Sequence, residues 1–221
     1  MTRDVPAGRY RFLPGIEPYS SGVVAMPGYQ VVFATLAAPV PWRDGFTRID
    51  AHLRAEGRPC AALCAIALRV PTPLSFDGFA EFNAGYRAVL TEWRLLVDGA
   101  NPIARTNVAP VVGAPAAASL YAFAYTVSGA ATRATFVVAG SGEVDRLNAD
   151  TIVRRGETSA DALREKARFV MGVMHSRLRG LGADWPDVTA IDVYTPHPIE
   201  PFVRDTILHA AGAAAVHGVT W

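Results

Sequence analysis

Apolar residues recur along this chain in two rhythms. Tyr10 to Leu13, Pro18 to Ala25 and Tyr29 to Thr35 are short runs of aromatic and β-branched residues, separated by Pro14 and by Pro27-Gly28. Such runs predict strands, and the last two, joined across Pro-Gly, predict a hairpin. After Pro41-Trp42-Arg43-Asp44 the spacing changes: Phe46, Ile49 and Leu53 fall on one helical face, with His52 read as a residue of that face. Gly57-Arg58-Pro59 ends the helix, and the continuous apolar run from Cys60 to Val70 predicts a buried strand stopped by Pro71 and Pro73. Phe79, Phe82, Tyr86, Val89, Leu90, Trp93 and Leu96 then predict a helix over Phe76 to Leu96. A strand around Arg105 and another from Ser119 to Val127 complete a β-β-α-β-α-β-β order. Two helices returning to one face of a mixed sheet make an α+β fold.

The chain then starts over with the same punctuation. Ala134 to Gly140 predicts a strand running into the glycine turn Gly140-Ser141-Gly142-Glu143. Ser159 is placed to cap a helix with an apolar stripe of Leu163, Ala167, Val170, Met171, Met174 and Leu178. Gly180-Leu181-Gly182 stops that helix, and Val188 to Thr195 predicts a strand. Leu53-Arg54 matches Leu178-Arg179, Gly57 matches Gly182, Ala65-Ile66 matches Ala190-Ile191, and Pro71 and Pro73 match Pro196 and Pro198. Every pair is separated by the same 125 residues. The pattern predicts a tandem duplication, with domains at 1–130 and 131–221. A counterpart of Arg105 would fall beyond Trp221, so the second domain is expected to lack its last strand or strands.

Composition narrows the class. Of 221 residues 51% are hydrophobic and 19% charged, as in a core-forming globular chain. A net charge of +1 argues against a broad basic face for nucleic acid. Cys60 and Cys64 lie in an apolar run without further cysteines, which predicts inert thiols in a reducing cytoplasm rather than a zinc site or a disulfide scaffold. The five histidines show no metal-binding spacing. No apolar run reaches the length of a membrane span, so a soluble, cytoplasmic chain is expected.

Candidate chemistry centres on Asn101-Pro102-Ile103-Ala104-Arg105-Thr106-Asn107-Val108. Arg105 stands at a strand start among apolar neighbours. A guanidinium there suits a carboxylate held by two parallel hydrogen bonds. The alternative is an arginine that snorkels at a strand end or pairs with an acid across an interface.

Pro18-Tyr19-Ser20, Phe82-Asn83 with Tyr86, and Pro102-Ile103-Ala104-Arg105-Thr106 resemble the signatures of the RidA/YjgF family of enamine/imine deaminases. The tandem arrangement is similar to the 2-aminomuconate deaminase-like proteins of aromatic degradation. The resemblance implies two chorismate-mutase-like domains, assembly as a homotrimer, and sites in clefts between neighbouring domains. It implies that Arg105 binds a substrate carboxylate, that Tyr19 lines the cleft, and that main-chain groups of a Ser-Gly turn contact substrate and water. Here Ala34-Thr35-Leu36 stands where the first half should carry that turn, whereas the second half has Gly140-Ser141-Gly142. The expected site is therefore composite, with Arg105 facing the glycine turn across a domain boundary. The family glutamate of the last strand is missing from Ser119-Leu120-Tyr121-Ala122-Phe123, which puts the usual hydrolytic route in doubt.

Three further groups complete the expectation. Glu143, beside the glycine turn, is the candidate proton shuttle, or else a solvated turn residue. His197, between Pro196 and Pro198, is a candidate acid or base, or else an ordinary loop residue. Gly140 and Gly142 would let backbone approach a ligand closely, or simply make a turn. The function expected is a cofactor-independent deaminase acting on a small carboxylated enamine or imine such as 2-aminomuconate. The alternative is a non-catalytic small-carboxylate binding or regulatory protein.

Overall fold

A computed structural model describes residues 1–145 and 148–221. The chain divides into a unit over Met1–Gly140 and a second over Ser141–Trp221.

The first unit has two sheets. Strands β1 (Arg3–Val5), β2 (Tyr10–Leu13) and β3 (Gly22–Ala25) run antiparallel in chain order. The other sheet has the order β4 (Tyr29–Pro41), β7 (Ser119–Ser128), β5 (Leu63–Arg69), β6 (Ala104–Val108). In it only β5 and β6 are parallel, with Ile66 opposite Arg105. Helices α1 (Trp42–Ala55) and α2 (Phe76–Glu92) cover one face of this mixed sheet. Phe46, Ile49 and Leu53 of α1 and Tyr86 and Leu90 of α2 bury against Leu63, Ile66, Leu68, Leu120 and Phe123. Small residues line the other face. Cys64, Ala65, Ala104 and Ala124 let Tyr10, Phe12 and Val23 of the small sheet pack closely there. The α+β class with both helices on one face of a mixed sheet is what the periodicity predicted.

Helix ends follow their capping chemistry. The Ser75 hydroxyl accepts from the Gly78 N–H at 3.0 Å and starts α2. That helix stops at Glu92, short of Leu96, because Arg94 turns left-handed at φ 55° and the Leu95 N–H closes onto the Leu90 carbonyl.

Three sequence expectations need correction. The hairpin across Pro27-Gly28 does not form: β3 pairs with β2, β4 pairs with β7, and the turn hands the chain from one sheet to the other. The run read as the first strand of a second domain is β8 (Phe136–Val138), and it pairs with β3 inside the first unit. The division therefore falls at Gly140 rather than at residue 130. Finally, Val188 to Thr195 is not a strand; Asp192 makes an isolated bridge to Thr220. In the first unit β5 is held by ladders to β6 and β7 on both sides. No such ladders flank residues 188–195 among the described residues, and a lone strand leaves its backbone groups unpaired.

The second unit is organised by α3 (Ala160–Leu181), capped by Ser159 and ended by Gly182 at φ 79°. The helix packs against the segment Val203–Leu208, and His175 meets the Trp185 ring edge-on at 6.4 Å; Trp185, Val188, Phe202, Ile207 and Ala211 are buried in this unit. A π-helical turn spans Val203–Leu208. The 125-residue correspondence thus holds for a helix followed by a left-handed glycine, Gly57 or Gly182, and not for the strand after it. A repeat of the first unit's sheet is not found among the described residues. Nor is any described helix long and apolar enough to cross a membrane.

Candidate functional site

Arg105 lies on β6, the edge strand of the mixed sheet, with its side chain on the helix side. It is 2% exposed. The edge beside it is closed by Pro18-Tyr19-Ser20, which runs alongside β6. The Ser20 N–H donates to the Ile103 carbonyl at 3.0 Å, and the Ser20 hydroxyl donates to the Pro102 carbonyl at 3.0 Å. Asn101 fastens the same corner, donating through its amide to the Pro18 carbonyl at 2.7 Å and accepting from the Ile103 N–H at 2.8 Å. Two separated motifs of the sequence therefore meet because the first extends the sheet edge that carries the second.

The guanidinium sits within four aromatic rings: Tyr86 at 4.6 Å, Tyr19 at 5.2 Å, Phe82 at 5.3 Å and Phe79 at 5.7 Å from its carbon to the ring centroids. Three of these rings come from one face of α2 at helical spacing. Asn83, between them, accepts from Arg105 Nη2 at 2.5 Å. Among the described residues no carboxylate reaches ion-pairing distance of Arg105, and its Nε and Nη1 have no hydrogen-bond partner. The Asn83 Nδ2 is likewise buried and unpartnered, and the Tyr86 hydroxyl is buried beside the Asn101 side chain without a well-formed hydrogen bond.

The electrostatics follow from this burial. Loss of water lowers the Arg105 pKa, with Tyr86 and Tyr19 acting the other way. Burial pushes the Tyr86 phenol up to about 12, against the pull of the Arg105 charge. At neutral pH the site is a cation flanked by a neutral phenol and an amide. Its unpaired atoms are all hydrogen-bond donors or, for the hydroxyl, able to donate. A buried charge without a counter-ion costs several kcal/mol. The aromatic faces offset part of that through cation–π attraction, worth about 0.5–2 kcal/mol each. The geometry can accept a planar anion: a carboxylate has two oxygens to meet Nε and Nη1.

The other residues singled out in the sequence are placed differently. Gly140 belongs to the same unit as Arg105. Its N–H donates to the Thr106 hydroxyl at 2.9 Å, and a Cβ there would stand 2.9 Å from Thr106 Cγ2. Thr106 and Arg105 are successive strand residues and point to opposite sheet faces, so Gly140 lies on the far side of β6 from the guanidinium. Gly140 is a glycine for close packing on β6, and no domain boundary separates it from Arg105. Ser141, Gly142, Glu143 and His197 are in the second unit. The Ser141 hydroxyl donates to the Gly142 carbonyl at 3.1 Å, and Gly142 has open space at its Cβ position. Glu143 accepts from Lys166 Nζ at 3.2 Å. His197 is half-buried in a bend, its N–H bonded to the Thr195 hydroxyl at 3.2 Å. Cys64 is a buried thiol with its pKa raised by burial, and Cys60 bonds Asp50 at 3.3 Å, the inert roles expected of them.

Sequence reading set Asn83 and Tyr86 among the motif residues without giving them a site role. The available signal was a lone amide among Phe79, Phe82 and Tyr86 on an otherwise apolar helix face.

Comparison with known proteins places this geometry in context. A family model described as 2-aminomuconate deaminase CnbZ matches residues 2–221. Over 219 residues the chain is 38% identical to a 2-amino-5-chloromuconate deaminase of Comamonas testosteroni, covering 97% of this chain and 86% of that protein.

Proposed function

The chain belongs to the 2-aminomuconate deaminase CnbZ family, and on that premise we propose that it deaminates an aminomuconate-like enamine dicarboxylate without a cofactor. The observation that carries the reading is the buried Arg105 with two unpaired guanidinium nitrogens and, among the described residues, no carboxylate of its own. A substrate carboxylate supplies the missing counter-ion.

The reaction balances as enamine plus water giving ketone plus ammonia. The enamine carbon distal to nitrogen takes a proton, water adds to the resulting iminium carbon, and the tetrahedral adduct expels ammonia. Arg105 contributes charge: fixed against the carboxylate next to the reacting carbon, it orients the conjugated chain and neutralises that carboxylate, which leaves the iminium carbon more electrophilic toward water. Tyr86, protonated at neutral pH, and the Asn83 amide are the remaining donors at the bound anion. Tyr19 and Phe82 present flat apolar surfaces to a planar conjugated acid. Assembly as a homotrimer and RidA-type domains remain part of this proposal.

The test is ammonia release from 2-aminomuconate by the wild-type chain and by Arg105→Met. Turnover that Arg105→Met retains in full removes Arg105 from the mechanism. A second reading, a carboxylate-binding protein without turnover, is favoured by one observation: among the described residues the groups found at Arg105 are the Asn83 amide and four aromatic rings, none of them a ready proton carrier near neutral pH. Thermal stabilisation by cis,cis-muconate with no ammonia from the amino substrate would establish it.

A further inference from the structure

The second unit holds a cleft of about 550 Å³ made wholly of its own residues. That size falls within the ~300–1,000 Å³ typical of small-molecule sites. One wall is a single face of α3, where Arg168, Met171, Gly172 and His175 recur at three- and four-residue spacing. The facing wall carries Trp185 and, from the π-helical turn, Asp205. π-turns are rare and occur frequently at functional sites.

Three features of the cleft point to a ligand. The Trp185 indole N–H donates to His175 Nδ1 at 3.2 Å. Indole can only donate, so Nδ1 accepts, and a neutral His175 carries its hydrogen on Nε2, free to donate into the cleft. Arg168 and Asp205 line the same space with opposite charges, and neither has an ion-pair partner among the described residues. This sets them apart on a strongly paired surface: Arg164, Glu165, Lys166 and Arg179 of the same helix all have partners. Finally, Gly172 sits in mid-helix, where it weakens α3 relative to alanine. A Cβ there would meet nothing within 4 Å. No neighbouring atom requires the glycine; its effect is to keep the cleft open between Arg168 and His175.

We propose that this cleft binds a small zwitterion of the free amino-acid class. The carboxylate meets Arg168 and the His175 Nε2–H, the ammonium meets Asp205, and an apolar side chain lies on Met171 and Trp185. A dicarboxylate would set a charge against Asp205, and a plain amine would set one against Arg168, so the paired opposite charges select for both groups in one molecule.

Isothermal titration calorimetry of the full chain with L-leucine, L-methionine and L-phenylalanine tests this, with N-acetyl-L-leucine and isovalerate as controls. At least one amino acid is expected to bind saturably, and the controls at least about tenfold more weakly. Arg168→Gln and Asp205→Asn are each expected to weaken binding by a similar factor. Gly172→Val should abolish it while circular dichroism shows the helix content unchanged; Gly172→Ala, which favours the helix, guards against misfolding and should weaken binding less. Absence of heat with all three amino acids, equal binding of N-acetyl-L-leucine or isovalerate, or full binding by Gly172→Val overturns the proposal. None of these readouts depends on deaminase turnover or on Arg105, so its failure is separable from failure of the proposed function.

Discussion

Arg105 of the first unit and Arg154 of the second show two ways in which a folded chain can treat the same cation. Arg154 is exposed and fully engaged: Nε and Nη2 grip both Glu157 oxygens at 2.8 and 2.5 Å, and Nη1 reaches Glu165 at 3.0 Å. Arg105 is buried among rings, holds one amide oxygen, and leaves two nitrogens unpaired. Folding alone explains the first, because water and carboxylates lie within reach. It does not explain the second, since an apolar side chain would fill the same space without losing hydration. Chemistry is to be sought where a charge is worse off in the folded chain than it need be.

Removing the stranded charge has the largest expected effect. Arg105→Met should lower the rate of ammonia release from 2-aminomuconate by about 10²–10³-fold, the effect of losing one preorganised charge-stabilising group. The ligand-free protein should at the same time gain on the order of 1–4 kcal/mol in stability, because an unpaired buried cation is replaced by packing. Kinetics and chemical denaturation on one sample check both arms. Loss of stability instead would mean that Arg105 is a structural residue already satisfied.

Asn83→Asp converts the site toward the arrangement seen at Arg154. It puts a carboxylate at the position now 2.5 Å from Nη2. The internal ion pair should stabilise the ligand-free chain by about 1.5–3 kcal/mol and abolish the thermal shift that cis,cis-muconate gives the wild type. Beside a guanidinium the introduced carboxyl has its pKa below the unfolded value of about 3.9. The gain is thus present above that pH and disappears as pH falls through the folded value. A thermal shift left unchanged would separate Asn83 from the anion site.

Tyr86 supplies a smaller effect at the alkaline end. Its folded pKa of about 12 exceeds the ordinary 10 because burial disfavours phenolate. The unfolded chain therefore loses this proton first, and stability falls between about pH 10 and 12 by ~1.4 kcal/mol per pH unit from this group. Tyr10 and Cys64 are also raised by burial and add to the decline. Tyr86→Phe should reduce the slope of unfolding free energy against pH by one proton's worth near pH 11, read from urea titrations at stepped pH. An unchanged slope would mean that the phenol ionises freely in the folded state.

How much of this was legible in the sequence depended on the range of the interaction. Phe46, Ile49 and Leu53 announced a helix face because the signal is local and periodic, and the face they bury is the one predicted. Arg105 was legible because a charge amid Ile103, Ala104 and Val108 has no surface explanation. Tyr19 came with it through the resemblance, and the hydrogen bonds of Ser20 to Pro102 and Ile103 supply the reason. Partner choice between distant strands was not legible. Phe136 to Val138 has the composition of a strand in either unit, and its pairing with Val24 to Gly22 is fixed by the surface Ala104 and Ala124 leave open. Val188 to Thr195 resembles Leu63 to Arg69 in pattern but has no ladders beside it among the described residues, and a pattern without a partner is no strand. Asn83 was visible as a residue and not as a role, because its role depends on which side chain the neighbouring strand aims at it.

Arg154→Ala is the counterpart of Arg105→Met and should do least. Its two glutamates are half-exposed, and once the arginine is gone water replaces the contacts. Surface ion pairs of this kind gain little attraction against the ordering of long side chains, and salt screens what remains. Arg154 also holds a left-handed φ of 48°, a backbone state that alanine tolerates no better, so the substitution leaves that strain in place. Melting temperature should move only slightly, by an amount that shrinks further in high salt, and ammonia release should match the wild type within error. If Arg154→Ala instead reduced turnover as far as Arg105→Met, a fully paired surface cation would matter as much as an unpaired buried one. Burial without a counter-ion would then cease to distinguish the functional arginine from the structural one.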